Sequence, residues 1–312
     1  MSEMHSAETG EATRAQGSVE QSFETPGPVS LRVENACGKV EIETHDAPTT
    51  DVRVVALTHL AEELVGRARI TERATTRGHE IIVEIPQGRG KARFWLGNGN
   101  AVGVSVRVPE DARLDVSTSS ASVEASGRYL TASIRSSSGQ VELGDIAGAA
   151  KVRTASGDVE LDAVGDLIEV QSASGDVRIG VTGAGGKIWT ASGNVNLERA
   201  EKSIRIQSAS GDVRLGEAFE GASVQSASGD QRIDRAAGGD YILNAVSGDI
   251  VVAVAPGTLI RFDTGSLSGR VSTDIEVGAD RPVALEGEAD GPELLIQAKT
   301  VSGDIKVTRA AS

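Results

Sequence analysis

The chain has 312 residues, enough for one long domain or two ordinary ones. Its 31 basic and 45 acidic residues leave a net charge of −14, which argues against nucleic-acid binding and against electrostatic docking on anionic lipid. Aromatics are only 3% while glycines number 37, so small and short aliphatic side chains must form the core, and the single Cys37 excludes an internal disulfide and a thiolate metal cluster.

Residues 1–24 are predicted to be a disordered tail, and the first twenty hold no apolar stretch of the kind a secretory signal needs. No window approaches eighteen consecutive apolar residues, so no membrane insertion is expected and the expected location is the cytoplasm. Residues 25–312 read as one domain. Its first part, 25–44, carries a repeat copy, VENACGKVEI at 33–42. Residues 45–112 break the pattern and are expected to cap the domain's N-terminal end. Within them THLAEELVGRARI predicts a short amphipathic helix, with Leu60, Leu64 and Ala68 on one stripe and Ala61 and Val65 beside it. HEIIVEIP and VGVSVRVP predict strands stopped by Pro86 and Pro109, and Gly97-Asn98-Gly99-Asn100 reads as a hairpin turn.

From 113 to 312 the chain is a repeat array. Ser138-Gly139, Ser156-Gly157, Ser174-Gly175, Ser192-Gly193, Ser210-Gly211 and Ser228-Gly229 recur every eighteen residues, with a degenerate copy at Ser120. Later copies at Ser247, Ser268 and Ser302 follow at intervals of 19, 21 and 34, read as loop insertions. An apolar residue stands four before each Ser (Val152, Val170, Ile188) and a hydroxyl two before it (Thr154, Ser172, Thr190). Two alternating apolar positions follow the Gly, as in Val177 and Ile179. Period-two alternation on both sides of a Gly-Asp corner predicts strand, sharp turn, strand and return loop. One such unit buries almost nothing, whereas stacked copies pair every backbone group and ladder their Val and Leu. At about 3.3 Å per residue, eighteen residues give a coil roughly 60 Å around. The expected fold is an all-β, single-chain parallel β-solenoid, right-handed by the general crossover preference. Stacked hairpins, antiparallel within each unit, fit the same period.

No catalytic set emerges. The four histidines lie outside the repeat and outside metal-ligand spacing, and Gly183-Ala184-Gly185-Gly186-Lys187 lacks the first Gly and the Ser or Thr of a phosphate loop. The recurring Asp158, Asp176, Asp212, Asp230, Asp249 and Asp304 read either as a calcium ladder or as turn residues bonded within their own loops. Gaps at Asn194 and Gln140 favour the turn, so no metal or other cofactor is expected. Cys37 fills the Ser slot of the first copy and reads as a small buried hydrophobe. The hydroxyl column is expected to line the narrow corner of the coil.

Candidate interaction residues fall in three places. Phe94 and Trp95 either plug the end of the coil or form a contact. Trp189 is placed outward by alternation. Ala155, Ala173, Ala191, Ala209 and Ala227, one before each Ser, also face outward and form a smooth stripe flanked by Gln171, Gln207 and Gln225. The stripe is either an interface or what fits beside a tight corner.

The S-A-S-G-D-V units, the N-A-C-G-K-V-E-I front copy and the helix-containing insert resemble a bacterial β-strand-repeat family, labelled "putative adhesin" and also called the toastrack domain. The resemblance covers about residues 29–309 and implies a β-repeat fold with no catalytic residues. It also implies a setting near membrane proteins of the cell-envelope stress response. The expected function is a non-enzymatic protein-interaction scaffold in an envelope-stress or signalling assembly. The alternatives are a surface adhesin exported by an unrecognised route and a solenoid that self-associates through its ends.

Overall fold

The structure, a computed structural model, describes residues 12–15, 17–86, 100–275, 283–284 and 292–310. Phe94, Trp95 and the turn at 97–99 lie outside the described residues. The chain divides into two compact units, 1–157 and 158–312. Each is a stack of parallel β rungs, and the only helix described is a short turn at His59–Ala61 running into Glu62–Gly66.

In the second unit a rung is two strands joined at the Ser-Gly corner, for example Ile168–Ser174 and Val177–Thr182. Each strand pairs in parallel with its counterpart eighteen residues on: Val170 with Ile188, Ile188 with Ile206, Ile179 with Leu197 and Leu197 with Leu215. Parallel pairing between rungs settles the choice against antiparallel hairpins. The inward columns Val170, Ile188, Ile206, Val224 and Leu243 are buried, as are Val177, Val195 and Val213. Each fully buried Val or Ile contributes about 1.5–3 kcal/mol of transfer free energy, so the ladders replace the aromatic core this composition lacks.

The corner glycines are required by stacking distance. A Cβ on Gly193 would sit 2.3 Å from the carbonyl oxygen of Gly175, and one on Gly211 would sit 2.2 Å from that of Gly193. Positive φ adds to this at Gly211 (φ 123°), but Gly157 meets the oxygen of Gly139 at 2.0 Å and is not among the positive-φ glycines. Close approach of successive rungs therefore governs the column, and turn conformation is secondary. The hydroxyl column is buried beside these corners, with Thr154 Oγ1 accepting from the N–H of Gly157 at 2.9 Å. Gln231 occupies a Val slot, is buried, and donates from Nε2 to Ser226 Oγ and to the carbonyl of Asn244, both at 2.8 Å.

The last rungs do not stack in sequence order. Strands Gly239–Ser247 and Ile250–Val254 pair with Glu293–Ser302 and Ile305–Arg309, and these in turn pair with Leu259–Ser268 and Val271–Thr273. The copy at Ser302 is thus inserted between those at Ser247 and Ser268. The expectation of loop insertions alone is corrected: the chain builds the outermost rung first and returns to fill the gap.

The first unit permutes its rungs in the same way. Val29–Asn35 lies between Gly78–Glu84 and Ala112–Thr118, and Gly38–His45 lies between Val102–Pro109 and the start of Ser122–Arg135. The predicted insert therefore supplies a complete parallel rung, with Ile81, Val83, Val104 and Val106 buried in the core. Antiparallel strands close it off: Arg69–Thr75 on Gly78–Glu84, and Thr49–Ala56 on Val102–Pro109. Ser18–Glu24 adds to Thr49–Ala56, and Ala12–Ala15 adds to Ser18–Glu24. Residues within the expected disordered tail are thus strand, held by buried Val19 and Phe23. The helix buries Ala61, Leu64 and Val65 but leaves Leu60 exposed, because a helix of one and a half turns presents only a narrow stripe.

Candidate functional site

The outward face of the strands 168–174, 186–192, 204–210 and 222–228 carries the residues singled out above. Ala173, Ala191, Ala209 and Ala227 are all exposed and stand abreast, since Ser174, Ser192, Ser210 and Ser228 pair in succession. Ala155, in the first unit, is exposed as well. The alternation of the strand thus points the alanines to solvent as expected.

The stripe does not end at Ala227. Following the observed stacking order, the same slot is filled by Val246, Val301 and then Leu267, which are 57%, 48% and 84% exposed. The second unit therefore carries a ridge of seven apolar side chains that grow in size toward its terminal rung. The signal was available in the sequence, because all three stand one before a repeat Ser, but their adjacency depends on the rung order.

Beside the ridge runs a polar ladder. Trp189 is half-buried and donates from Nε1 to Gln207 Oε1 at 2.7 Å, and Gln207 donates from Nε2 to Gln225 Oε1 at 3.2 Å. Lys187 Nζ lies 5.9 Å from the Trp189 ring centroid. Trp189 is thus part of the ladder and not a free anchor: its ring edge is fixed and its indole N–H is taken.

At the corner itself each Asx side chain caps the next rung. Asp158 Oδ1 accepts from the N–H of Asp176 at 2.8 Å, Asp176 from Asn194 at 2.8 Å, Asn194 from Asp212 at 2.9 Å and Asp212 from Asp230 at 2.9 Å. The expected bond within its own loop is corrected. The partner lies eighteen residues on, and Asn serves as well as Asp because the acceptor is one oxygen.

In the first unit a cleft of about 800 Å³ opens between the corner at Asn35, the residues after Gly66, and Thr118. Its charged side chains are Glu34, Glu84, Arg67 and Arg69, and Asn35 and Thr118 are among its neutral polar ones. The pairing register sets Arg69 opposite Glu84 and Glu84 opposite Glu34. Asn35 donates to the carbonyl of Val102 at 2.9 Å, and among the described residues the buried Thr118 hydroxyl has no hydrogen-bond partner. Cys37 is half-buried in the corner of the rung 29–45. Among the described residues no group of three or more His, Cys, Asp or Glu is placed to hold a metal ion. No helix of the described residues is long and apolar enough to cross a membrane.

Parallel rungs with an unbroken column of small residues at each corner define a repetitive β-solenoid of the toastrack class. The chain belongs to the Toastrack DUF4097 family, whose model matches residues 66–235 and again 166–308. The two overlapping matches reflect the internal repeat. No curated protein matches the sequence. Among solved structures, a "putative adhesin" from Bacteroides fragilis is 10% identical, with 94% of this chain and 98% of that one covered at a TM-score of 0.41. A "putative lipid binding protein" from Parabacteroides distasonis is 13% identical, covering 95% and 97% at 0.38. A "putative cell adhesion protein" from Clostridium sporogenes is 9% identical, covering 93% and 98% at 0.26.

Proposed function

We propose that the protein is a non-enzymatic interaction scaffold that presents the ridge Ala173–Ala191–Ala209–Ala227–Val246–Val301–Leu267 to a protein partner in the cytoplasm. The observation that carries this reading is the regularity of the exposed apolar column, one side chain from each successive rung of the second unit. Alanines have no side-chain rotamers to lose on contact, and the Trp189–Gln207–Gln225 ladder is already ordered, so the face is preorganised for a flat or extended partner. A scaffold is favoured over an enzyme because repetition sets like groups side by side, while a reaction needs unlike groups converging on one point. The envelope-stress or signalling setting follows from the family resemblance.

The test is an affinity capture from native lysate with the wild-type chain and with Ala191→Arg combined with Ala209→Arg. The double variant is expected to fold, since both positions face solvent, and to lose the captured partner. Retention of the same partner by a folded double variant would remove the ridge from the reading. Recovery of the protein from the outer cell surface would favour the adhesin alternative.

A further inference from the structure

We propose that the occupant of the ridge is a second copy of this chain, seated face to face on the same ridge in reversed rung order, so that Leu267 of each copy covers Ala173 of the other. The proposal rests on the reading of the ridge as a contact face and names what it contacts. At one end of the ridge the large side chains Val246, Val301 and Leu267 are 57%, 48% and 84% exposed, and Ile242, outward on the strand of Val246, is 39% exposed. Large apolar side chains gathered on one face mark a contact patch, where scattered ones would not. At the other end Ala173, Ala191 and Ala209 leave the same face low.

The order of sizes selects the occupant. Along the stack the ridge runs Ala173, Ala191, Ala209, Ala227, Val246, Val301, Leu267. A two-fold axis lying between two such faces and parallel to their strands reverses the rung order and keeps ridge over ridge. Leu267 then meets the partner's Ala173, Val301 the partner's Ala191 and Val246 the partner's Ala209, with Ala227 at the axis. The taper of one copy fills the taper of the other. The unreversed order sets Leu267 on its own counterpart and alanine on alanine, a wedge that touches at one end only. Rung spacing makes the same selection: contact at every level needs an occupant that repeats at about 4.8 Å, as a second copy does.

The ladder beside the ridge is complementary under the same reversal. Asn244, Lys299 and Gly265 continue the column of Gln171, Trp189, Gln207 and Gln225. Reversal places the partner's Lys299 over the Trp189 indole, the partner's Asn244 against Gln207, and the two Gln225 amides together. Gln171 enters the space left by the partner's Gly265, which has no side chain. Within these two columns no like charges are opposed. Six steps of about 4.8 Å make the contact about 29 Å long, and with flanking side chains it is about 17 Å wide. That buries about 1,000 Å² over both copies, the lower end for a specific interface, so a micromolar dissociation constant is expected.

The experiment is sedimentation equilibrium of the full chain from about 1 to 100 μM, a range that brackets such a constant. A monomer–dimer equilibrium is expected. Ala191→Asp alone and Val301→Lys alone should each weaken it by about tenfold or more, because each buries two unpaired charges in the dimer. Both substitutions in one chain should restore it to within about threefold of wild type, because reversal sets each introduced carboxylate against the partner's introduced ammonium. Within one copy the two positions are four rungs, about 19 Å, apart, so the rescue cannot arise inside the chain. In the wild-type chain, acrylamide quenching of tryptophan emission should weaken with rising concentration as Trp189 is covered, a readout that needs no variant to fold. A monomer throughout the range, open-ended filaments, an unaltered dimer in either single variant, a combined variant no tighter than the singles, or quenching independent of concentration would each overturn the proposal. The ridge would still stand as a contact face if Ala191→Arg with Ala209→Arg loses its captured partner; retention of that partner by the folded double variant removes the ridge itself.

Discussion

Asp249 Oδ1 accepts a 2.7 Å hydrogen bond from the backbone N–H of Asp304, fifty-five positions later in the chain. Asp304 Oδ1 then accepts from the N–H of Arg270 at 2.8 Å, thirty-four positions earlier. These two bonds mark where the stacking order leaves the sequence order. The ladder that elsewhere advances by eighteen or nineteen is continued by whichever rung lies next in space.

If each Asx oxygen serves the next rung, removing one should be felt and replacing it by an amide should not. Asp304→Ala is expected to cost about 1 kcal/mol, the net value of one such bond at a partly solvated site. Asp304→Asn should be close to neutral, because Asn194 already fills the equivalent slot. Urea unfolding of the two variants beside wild type measures both.

Calcium should not stabilise the array. One oxygen of each Asp in the column is engaged by a backbone N–H, and Asn194 interrupts the charge. Thermal melts in excess Ca²⁺ and in chelator are expected to coincide, whereas specific binding to the folded state would raise the melting temperature with concentration.

The glycine column predicts a sharp contrast. Gly211→Ala places a Cβ 2.2 Å from the oxygen of Gly193 at a φ of 123°, so neighbouring backbone must move. A loss of about 3 kcal/mol or more is expected, in the upper range for point substitutions. Gly265→Ala meets nothing within 4 Å and should change stability by less than about 0.5 kcal/mol. Denaturant midpoints of the two variants decide it.

Both tyrosines of the chain are buried. Tyr241 donates to the carbonyl of Ala218 at 2.6 Å, and burial pushes its hydroxyl up to about 12. Tyr129 donates to Ile42 and Ser126 carbonyls, and burial, with Glu43 beside it, also raises its pKa. A raised folded value means that each neutral phenol contributes stability fully below the unfolded value near 10 and loses it as pH rises through the folded one. Absorbance near 295 nm should therefore show almost no phenolate in folded protein at about pH 10, where the denatured chain is half-ionised. Half-ionisation of the folded protein at that pH would place the rings in solvent.

What the sequence made legible is what period and alternation control. Eighteen-residue spacing fixed which residues share a column, and period-two alternation placed Val170 and Ile188 inside and Ala173 and Ala191 outside. It could not order the end rungs, because Ser247, Ser268 and Ser302 carry the same corner and any of them fits against another. The outermost rung of the first unit was hidden for a different reason: Gly78–Glu84 and Val102–Pro109 lack a Ser-Gly corner between them. Ser18–Glu24 was hidden by composition, since two apolar residues among polar ones suffice only when a neighbouring strand offers its edge.

The most direct test of the stacked-rung account is a pair of deletions. Removing residues 169–186 takes out one whole rung, so the flanking strands meet the same columns in the same register, and a folded, shorter protein with a cooperative melt is expected. Removing residues 169–177 takes out half a rung, leaves strands facing corners, and should give an unfolded or aggregated chain. Circular dichroism melts of the two proteins compare them directly. A cooperative, soluble fold for the first and none for the second is the predicted result; two deletions that behave alike would contradict the eighteen-residue rung.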